Sequence, residues 1–373
     1  MIIKKNIPFF PYQAFFGSRD KEFTEVLQDV LRRGAFILQK DLEEFEKNLA
    51  RYLGVKHALG VANCTDGLVI ALKVAGIQPG DEVILPSHTF IATASAIHLA
   101  GGVAVPVECA EDHLLDPESV ELAVTSRTRF LMPVQLNGRT CRMDRLQKIA
   151  DRNGLQIVED AAQGLGSSYK GRYAGTFGVV SAFSFYPAKI LGCFGDGGAV
   201  VTNDDRLAEI IYAMRDHGRN REGRVICWGT NSRLDNVQAA ILNYQFQYYA
   251  ETVRCRREVA SLYTNCLKNI SELLLPPAPD SDPDHFDTFQ NYEIEAERRD
   301  ELRAYLKEVG VGTLVQWGGT AVHQFRELGF KQNLPKTDRL FTRCLMLPMN
   351  TYLTNEEVTY ICDRILEFYS HRR

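Results

Sequence analysis

Short apolar runs alternate with segments of helical period between about residue 40 and residue 245. Most of these apolar runs are continuous rather than alternating, as expected of strands that are covered on both faces of a sheet. The regular alternation of strand and helix predicts an α/β fold with a mostly parallel sheet. The predicted strands are residues 57–63, 81–87, 103–109, 129–136, 155–160, 179–186 and 197–203, and the clearest predicted helices are 66–76 and 141–154.

The pattern changes after about residue 245, where a smaller α+β unit begins. We therefore predict a large domain over residues 1–245, which includes an N-terminal arm, and a small C-terminal domain over residues 246–373. The small domain is predicted from a Pro- and Asp-rich loop over 275–287, a strand over 289–296, and helices over 298–310 and 355–369.

Composition and charge exclude several classes of protein. The chain has 373 residues and a net charge of -4 without long runs of one sign, so it lacks the basic surface that nucleic acid or an anionic membrane requires. Its nine cysteines form no C-x-x-C pair, which favours reduced thiols over disulfides and gives no metal-ligand spacing. No apolar run approaches the ~20 residues of a membrane span, and the proline-interrupted N-terminus is not a signal peptide. These features predict a soluble, cytoplasmic protein.

Polar residues follow directly after most of the predicted strands. The ligands of an open α/β sheet bind outside the carboxyl ends of its strands, so these residues are expected to share one site. They are Asn63 to Asp66, Ser87 to Thr89, Gln135 to Asn137, Asp160 to Gln163 and Ser184 to Lys189.

Three of these segments carry candidate chemistry, each with a simpler alternative. The NCTDG segment at 63–67 starts a helix, where backbone N–H groups bind phosphate, although the same residues serve as ordinary N-caps. Asp160 ends a buried strand and either caps the next segment, pairs with an arginine or holds a cationic nitrogen. Lys189 lies between an apolar run and a glycine cluster. Its side chain is either a snorkelling surface residue, a phosphate ligand or a Schiff-base nucleophile.

Taken together, the three segments match one cofactor. Pyridoxal 5'-phosphate needs a lysine bound to its aldehyde, an acid opposite its pyridine nitrogen and a cradle for its phosphate. The lysine would be Lys189, the acid would be Asp160, and the phosphate cradle would be formed by Thr65 and Ser184. Asp160 would keep the ring nitrogen protonated, and Lys189 would act as general base and acid.

At this point the sequence is seen to resemble the DegT/DnrJ/EryC1/StrS family of sugar aminotransferases over essentially its whole length. The resemblance implies the fold of fold-type I aminotransferases, with a seven-stranded sheet in the large domain and a small C-terminal domain. It also implies a homodimer with active sites shared between subunits. The matching segments are 34–68, 80–97, 158–178, 183–204, 215–220 and 231–242.

The resemblance also implies roles for individual residues. Lys189 is bound covalently to the cofactor, Asp160 meets the pyridine nitrogen, and Gln163 lies near the ring or its hydroxyl. Ser184 binds the phosphate. The backbone around Cys64, Thr65 and Asp66 is expected to share that contact.

For two further positions, the role that the resemblance implies competes with a purely structural role. Asn231, in an N-x-R motif, would reach the cofactor phosphate of the partner subunit, and the alternative is a helix N-cap. His88 occupies the position expected to stack on the cofactor ring, and the alternative is a hydrogen-bonded histidine at a strand end.

The chain departs from the family pattern at several positions. Cys64 replaces the glycine of the usual N-G-T-D motif, and Gln39-Lys40 replaces a Gly-Pro-like pair. The segment 315–325 differs from the His-Tyr-Pro type of many relatives, and His323 is the candidate counterpart of a later histidine that contacts substrate. These changes leave the cofactor residues intact and bear on the substrate.

The resemblance implies transfer of an amino group from L-glutamate to a keto sugar, with pyridoxamine 5'-phosphate formed between the two halves of the reaction. The expected acceptor is a nucleotide-linked keto-deoxy sugar. The alternatives are a keto-cyclitol or free keto sugar, a pyridoxal-dependent sugar dehydratase and a non-catalytic regulator. In dehydratases for C-3 deoxygenation, histidine stands at the position that matches Lys189.

Overall fold

The computed structural model describes residues 5–370 of the chain. Strands and helices alternate through its first two thirds, as the hydrophobic pattern predicts. The helices are α1 Tyr12–Gly17, α2 Asp20–Arg33, α3 Lys40–Leu53, α4 Cys64–Val74, α5 Ile91–Ala100, α6 Pro117–Ala123, α7 Met143–Asn153, α8 Asp205–Met214, α9 Asn236–Phe246, α10 Tyr249–Leu267, α11 Arg299–Glu308, α12 Pro335–Arg343 and α13 Asn355–Ser370, with 3-10 turns at Gln316–Gly319, Val322–Gln324 and Arg326–Leu328.

Within the described residues, the large domain is built on a seven-stranded sheet with the strand order β1-β9-β8-β5-β4-β2-β3. All seven predicted strands lie in this sheet, which confirms the predicted α/β fold. The strands are β1 His57–Val61, β2 Glu82–Pro86, β3 Val103–Val107, β4 Thr128–Leu131, β5 Gln156–Asp160, β6 Ser168–Tyr169, β7 Arg172–Tyr173, β8 Val180–Ser184, β9 Gly198–Thr202, β10 Leu273–Leu274, β11 His285–Phe286, β12 Tyr292–Ala296 and β13 Cys344–Leu347.

The direction of the strands brings the candidate residues to one edge of the sheet. Strands β3, β2, β4, β5 and β8 are parallel, and β9 is antiparallel to both of its neighbours, β8 and β1. Strands β1 and β8 therefore run in the same direction. As a result, the carboxyl ends of β1, β2, β5 and β8 lie along the same edge, where ligands of such sheets bind.

Helix α4 shows how the sequence sets the geometry at this edge. The side-chain oxygen of Asn63 accepts a hydrogen bond of 2.8 Å from the backbone N–H of Asp66, so Asn63 is the N-cap of the helix. A Cβ at Gly67 would lie only 3.2 Å from that of Ala182 and 3.3 Å from Val200. Glycine at this position therefore lets α4 pack close against the middle of the sheet.

The C-terminal part contains a second sheet of order β10-β12-β13, with antiparallel pairing. The predicted strand and helices of this region correspond to β12, α11 and α13. Its hydrophobic core is formed mainly by residues beyond 258, yet it also includes Ile7, which bridges Val311. The N-terminal arm thus packs partly on the small unit, and the division at residues 245 and 246 stays a prediction. Among the described residues, no helix has the length and apolar character needed to cross a membrane.

Candidate active site

Lys189 lies in the loop of residues 185–197 that joins β8 to β9. Its amine makes no side-chain hydrogen bond or ion pair within residues 5–370. Burial lowers the pKa of Lys189, and the charges of Cys64 and Asp160 nearby oppose that change. An amine with a lowered pKa and no competing partner is suited to react as a nucleophile.

Asp160 ends β5 and is held rigidly by two donors. The Thr93 hydroxyl donates to Oδ2 at 2.8 Å, and the Ala162 backbone N–H donates to Oδ1 at 3.1 Å. Thr89 in turn bonds Thr93, with 2.7 Å between their hydroxyl oxygens. Burial raises the pKa of Asp160, while both hydrogen bonds and the charge of Lys189 lower it. The carboxylate is therefore fixed in position, and a cationic nitrogen beside it would further favour its charged form.

A candidate phosphate cradle lies where α4 begins. The first intrahelical hydrogen bond of α4 runs from the Gly67 N–H to the Asn63 carbonyl, so the N–H groups of Cys64 and Thr65 precede it and are available to an anion. A Cβ at residue 198 would lie 2.8 Å from the Cys64 nitrogen, which leaves room only for glycine there. Burial raises the pKa of the Cys64 thiol well above its usual value, so it stays neutral.

Ser184 and Gln163 share a small cavity with Lys189. The Gln163 side-chain oxygen accepts hydrogen bonds from the Asn137 backbone N–H at 2.8 Å and from the Asn291 amide at 3.3 Å. Its oxygen is thereby occupied, and the amide NH2 group is the end that can serve a ligand. The structure thus brings together Lys189, Ser184 and Gln163 as the sequence predicts.

The structure contradicts the stacking role predicted for His88. The ring is fully buried, with Nε2 3.4 Å from a Glu293 carboxylate oxygen and Nδ1 3.4 Å from the His113 carbonyl. A ring that covered the cofactor would be open to the pocket in the chain without ligand. The alternative reading, a hydrogen-bonded histidine at a strand end, is the correct one.

Phe90, two residues further on, is an exposed aromatic side chain that follows β2. It is 52% exposed and precedes α5, the helix that carries Thr93. Its ring centroid lies 5.5 Å from that of Trp317. In the sequence, Phe90 is a second aromatic ring that follows β2. The contact with the cofactor ring is predicted for His88 alone, although Phe90 also lies close to the end of that strand.

Asn231 is exposed and does not cap a helix. Helix α9 begins at Asn236 with Asp235 in the N-cap position, so the N-cap alternative for Asn231 is wrong. Asn231 instead pairs with Asp216 through an isolated β-bridge. Its side chain is on the surface, where the expected contact with a second subunit remains a prediction.

His323 has a structural role rather than the predicted contact with substrate. Its ring is fully buried, and both nitrogens are engaged, Nδ1 with the Ser87 hydroxyl at 2.7 Å and Nε2 with Asp338 at 3.0 Å. Burial lowers the pKa of His323. The side chain ties the 3-10 turn at 322–324 to the end of β2.

A buried charged network that the sequence analysis missed lies behind Gln163. Glu293, on β12, accepts hydrogen bonds from His113 at 2.9 Å and from the Asn137 amide at 3.0 Å. Burial alone would raise the pKa of Glu293, but His88 and His113 outweigh it and lower that pKa. Similarly, burial opposes protonation of His113, yet Glu293 and Glu295 raise its pKa to about 9.

The donor set at this edge fits pyridoxal phosphate. An amine of lowered pKa, a carboxylate fixed by Thr93 and Ala162, and the open N–H groups at the start of α4 match the aldehyde, the pyridine nitrogen and the phosphate of that cofactor. The glycine required at residue 198 keeps the cradle free of a side chain. This site and fold define a class of protein, the pyridoxal-dependent aminotransferases.

Comparison with known proteins identifies the family of the chain. The model of the DegT/DnrJ/EryC1/StrS aminotransferase family matches residues 18–366. The chain belongs to this family, and the resemblance seen in the sequence is confirmed. It is therefore related to pyridoxal-dependent aminotransferases by sequence as well as by its site.

Two curated relatives and one solved structure are similar over nearly the full length. The dTDP-3-amino-3,4,6-trideoxy-alpha-D-glucose transaminase of Streptomyces venezuelae is 41% identical, over 97% of this chain and 96% of the relative. The UDP-2-acetamido-2-deoxy-3-oxo-D-glucuronate aminotransferase of Pseudomonas aeruginosa is 37% identical, over 90% and 93%. A crystal structure of S. venezuelae DesV in complex with a ketimine intermediate is 40% identical with a TM-score of 0.93, over 97% of this chain and 98% of that one.

Proposed function

We propose that this enzyme transfers the amino group of L-glutamate to the C-3 keto group of a nucleotide-linked sugar, with pyridoxal 5'-phosphate and pyridoxamine 5'-phosphate as the two cofactor forms. The observation that carries the proposal is the unpaired Lys189 amine beside the fixed Asp160 carboxylate. The name of one relative specifies an amino group at carbon 3 of a dTDP-linked sugar, and the name of the other specifies a 3-oxo group of a UDP-linked sugar. The two relatives therefore share the position of the reacting group, carbon 3, and differ in the nucleotide.

Pyridoxal phosphate, when bound, supplies an electron sink that stabilises negative charge at the carbon beside the transferred nitrogen. Asp160 would hold the proton on the pyridine nitrogen, since its two donors leave the carboxylate in one orientation. Lys189 Nζ would take the proton from the substrate carbon and return a proton to the acceptor side. Gln163 would donate from its amide to an oxygen on the ring, because its own oxygen is held by Asn137.

The phosphate would be bound by the N–H groups at the start of α4, together with the hydroxyls of Thr65 and Ser184. Charge-assisted hydrogen bonds to the positive end of a helix suit a dianion. Cys64, at the position where the family motif implies glycine, keeps its thiol neutral and so adds no repulsive charge. The backbone N–H of Asp66 donates to Asn63, which supports a role for Asp66 as a positioning residue of the cradle.

The active form is proposed to be a homodimer that shares its sites. Asn231 is exposed, and the loop before it displays three apolar side chains, Trp228 at 97%, Val225 at 71% and Ile226 at 54% exposure. Apolar side chains grouped on a surface in this way mark an interaction site. A second copy covering this loop would bring Asn231 to a neighbouring subunit.

We also assign the enzyme to the cytoplasm. Within residues 5–370 all nine cysteines are free thiols. Free thiols are typical of a reducing compartment such as the cytosol.

The proposal is tested by supplying holoenzyme with L-glutamate and a panel of 3-keto and 4-keto sugars linked to dTDP or UDP. Release of 2-oxoglutarate and formation of the amino sugar are followed together, with Lys189→Ala as the inactive control. Turnover with 3-keto substrates supports the proposal. Turnover confined to 4-keto sugars, keto-cyclitols or free keto sugars contradicts the acceptor, and loss of the sugar hydroxyl without gain of nitrogen indicates a dehydratase.

A further inference from the structure

A cavity of about 270 Å³ lies beside Lys189, between the N-terminal segment and the start of α10. We call it the Arg256 cavity, after the residue that defines its chemistry. Its wall includes Arg19, Lys189, Arg256 and Asn350. It is distinct from the small cavity that contains Gln163 and Ser184, although Lys189 borders both.

Arg256 is a buried cation without an anionic partner. It is 4% exposed, and its guanidinium donates only to carbonyl oxygens, those of Phe289 at 2.8 Å, Gln290 at 2.6 Å and Met349 at 2.9 Å. Within residues 5–370 it makes no ion pair, and its Nη1 has no acceptor. Burial lowers the pKa of Arg256 to about 10, so the group remains charged at neutral pH. A buried charge is costly unless a counter-charge compensates it.

Asn350 provides a second, independent observation. The side chain is 3% exposed, and its Oδ1 accepts a hydrogen bond from the Tyr352 backbone N–H at 3.0 Å. Its Nδ2 has no partner among the described residues. Buried amide donors without a partner are rare, and an oxygen of a water or of a ligand is the acceptor that would complete this one.

The other charged groups of the wall also favour an anion. The Arg19 guanidinium lies over the Tyr248 ring, 3.6 Å from its centroid, which holds the cation at the cavity. Glu251 is the one acid among the described lining residues; it is exposed, and its carboxylate lies 3.7 Å from Arg254 on the same helix. The cavity therefore offers buried donors and cations, with its acid directed elsewhere.

The size of the cavity and the position of Lys189 indicate which anion it receives. Cavities for drug-sized ligands run from about 300 to 1,000 Å³, so this one suits a smaller molecule such as an amino acid rather than a nucleotide sugar. A ligand here would also lie next to the loop that carries the reacting amine. We propose that the Arg256 cavity binds a carboxylate of the amino donor, through Arg256, Arg19 and the Asn350 amide. This inference rests on the proposed transaminase function.

The cavity is closed on one side by the N-terminal segment. The Tyr352 hydroxyl donates to the Phe15 carbonyl at 3.5 Å, and Phe10, Phe15 and Phe23 complete that wall. The donor subsite would thus be assembled from three distant parts of the chain, namely the N-terminal helices, α10 and the turn at 350–352.

The test is calorimetric titration of the holoenzyme with glutarate, a dicarboxylate that lacks the amine and cannot react. Asn350→Asp keeps the acceptor for the Tyr352 N–H but replaces the free donor by a charged oxygen, so the Kd for glutarate should rise about tenfold or more. Arg256→Lys should weaken binding in the same direction, because it keeps the charge and loses the fork of donors. Glu258→Gln, an exposed acid of the same helix outside the cavity, is the matched control and should leave the Kd unchanged. Cofactor loading and Tm are measured for each variant.

Glutarate binding that is absent in the wild type, or unchanged in a folded Asn350→Asp variant, overturns the inference. So does weaker binding of dTDP or UDP, instead of glutarate, in that variant, since the cavity would then receive the acceptor's phosphates. Because glutarate binding needs no turnover, failure of the proposed transamination would be recognised separately, as binding without reaction.

Discussion

The backbone N–H of Asn137 donates to the side-chain oxygen of Gln163 at 2.8 Å, which fixes the orientation of the Gln163 amide. Since the oxygen is already bound, the NH2 group is the end that is left for a ligand. Asn137 is itself held by Glu293 through its side-chain amide, at 3.0 Å. A chain of contacts thus runs from a buried carboxylate of the small sheet to a side chain of the candidate active site.

Gln163→Glu should weaken cofactor binding. One carboxylate oxygen can still accept from Asn137, but the other would replace a donor with an acceptor beside the electron-rich ring oxygen. A lost hydrogen bond to a charged group costs about 1.5–3 kcal/mol, so the cofactor Kd should rise about tenfold to a hundredfold. Cofactor titration by fluorescence measures it. Unchanged affinity would show that Gln163 does not contact the cofactor.

Asp160→Asn should leave the fold intact and slow the reaction. The amide keeps the shape of the carboxylate but lacks the charge that holds a proton on the ring nitrogen. Loss of about 3 kcal/mol of charge-assisted interaction corresponds to about a hundredfold drop in kcat. Single-turnover kinetics with L-glutamate measure the step, with Thr93→Val as a milder companion variant. A rate equal to that of the wild type would make Asp160 a structural residue.

The Glu293 network should make stability depend on pH on the alkaline side. The pKa of His113 is raised to about 9, from about 6.5 in the unfolded chain. The stabilisation that the folded protein gains from protonated His113 is therefore fully present below about pH 6.5 and is lost as the pH rises through 9. A shift of this size corresponds to a loss on the order of 3 kcal/mol in the free energy of unfolding. Urea unfolding at pH 6.5, 8 and 9.5 measures this loss.

Variants of the same network distinguish the contributions of its two acids, Glu293 and Glu295, to stability. Glu293→Gln leaves two histidines without their shared carboxylate and should cost about 3–5 kcal/mol. Glu295→Gln is the matched control, because Glu295 contacts His113 at 3.3 Å from a less buried position and should cost less. Equal costs for the two variants, or a flat pH profile in the wild type, would contradict the assignment of Glu293 as the centre of the network.

Trp228→Ser and Asn231→Ala should separate assembly from cofactor binding. Removing the exposed indole should shift the protein toward monomer on dilution, as measured by analytical ultracentrifugation. Removing the Asn231 amide should leave the dimer intact and weaken cofactor phosphate binding. A monomeric wild type with full activity would contradict the shared site.

Much of the fold could be predicted from the chain because its signals are local. Each strand of the large sheet is a continuous apolar run, and Asn63 and Asp160 lie where such runs end. The antiparallel insertion of β9 and the two-residue strands β6, β7 and β11 could not be read, because they depend on pairing between distant segments.

The candidate site divides in the same way. The positions of Lys189 and Asp160 after strands are visible in the sequence, and their catalytic roles stay predictions. The structure contradicts the roles predicted for His88 and His323, because each ring is buried against an acid that comes later in the sequence, Glu293 for His88 and Asp338 for His323. Arg256 lies on a helix with many charged residues, and only the packed structure shows that it is buried without a counter-ion among residues 5–370.

The most direct measurement is the identity of the lysine that carries the cofactor. Holoenzyme is reduced with sodium borohydride, digested and analysed by mass spectrometry, with Lys189→Ala treated in parallel. The account predicts a phosphopyridoxyl group on the peptide that contains Lys189, and a Lys189→Ala variant that folds with the same circular dichroism but carries no label. A label on another lysine, or catalysis by the purified Lys189→Ala variant, would contradict the central claim.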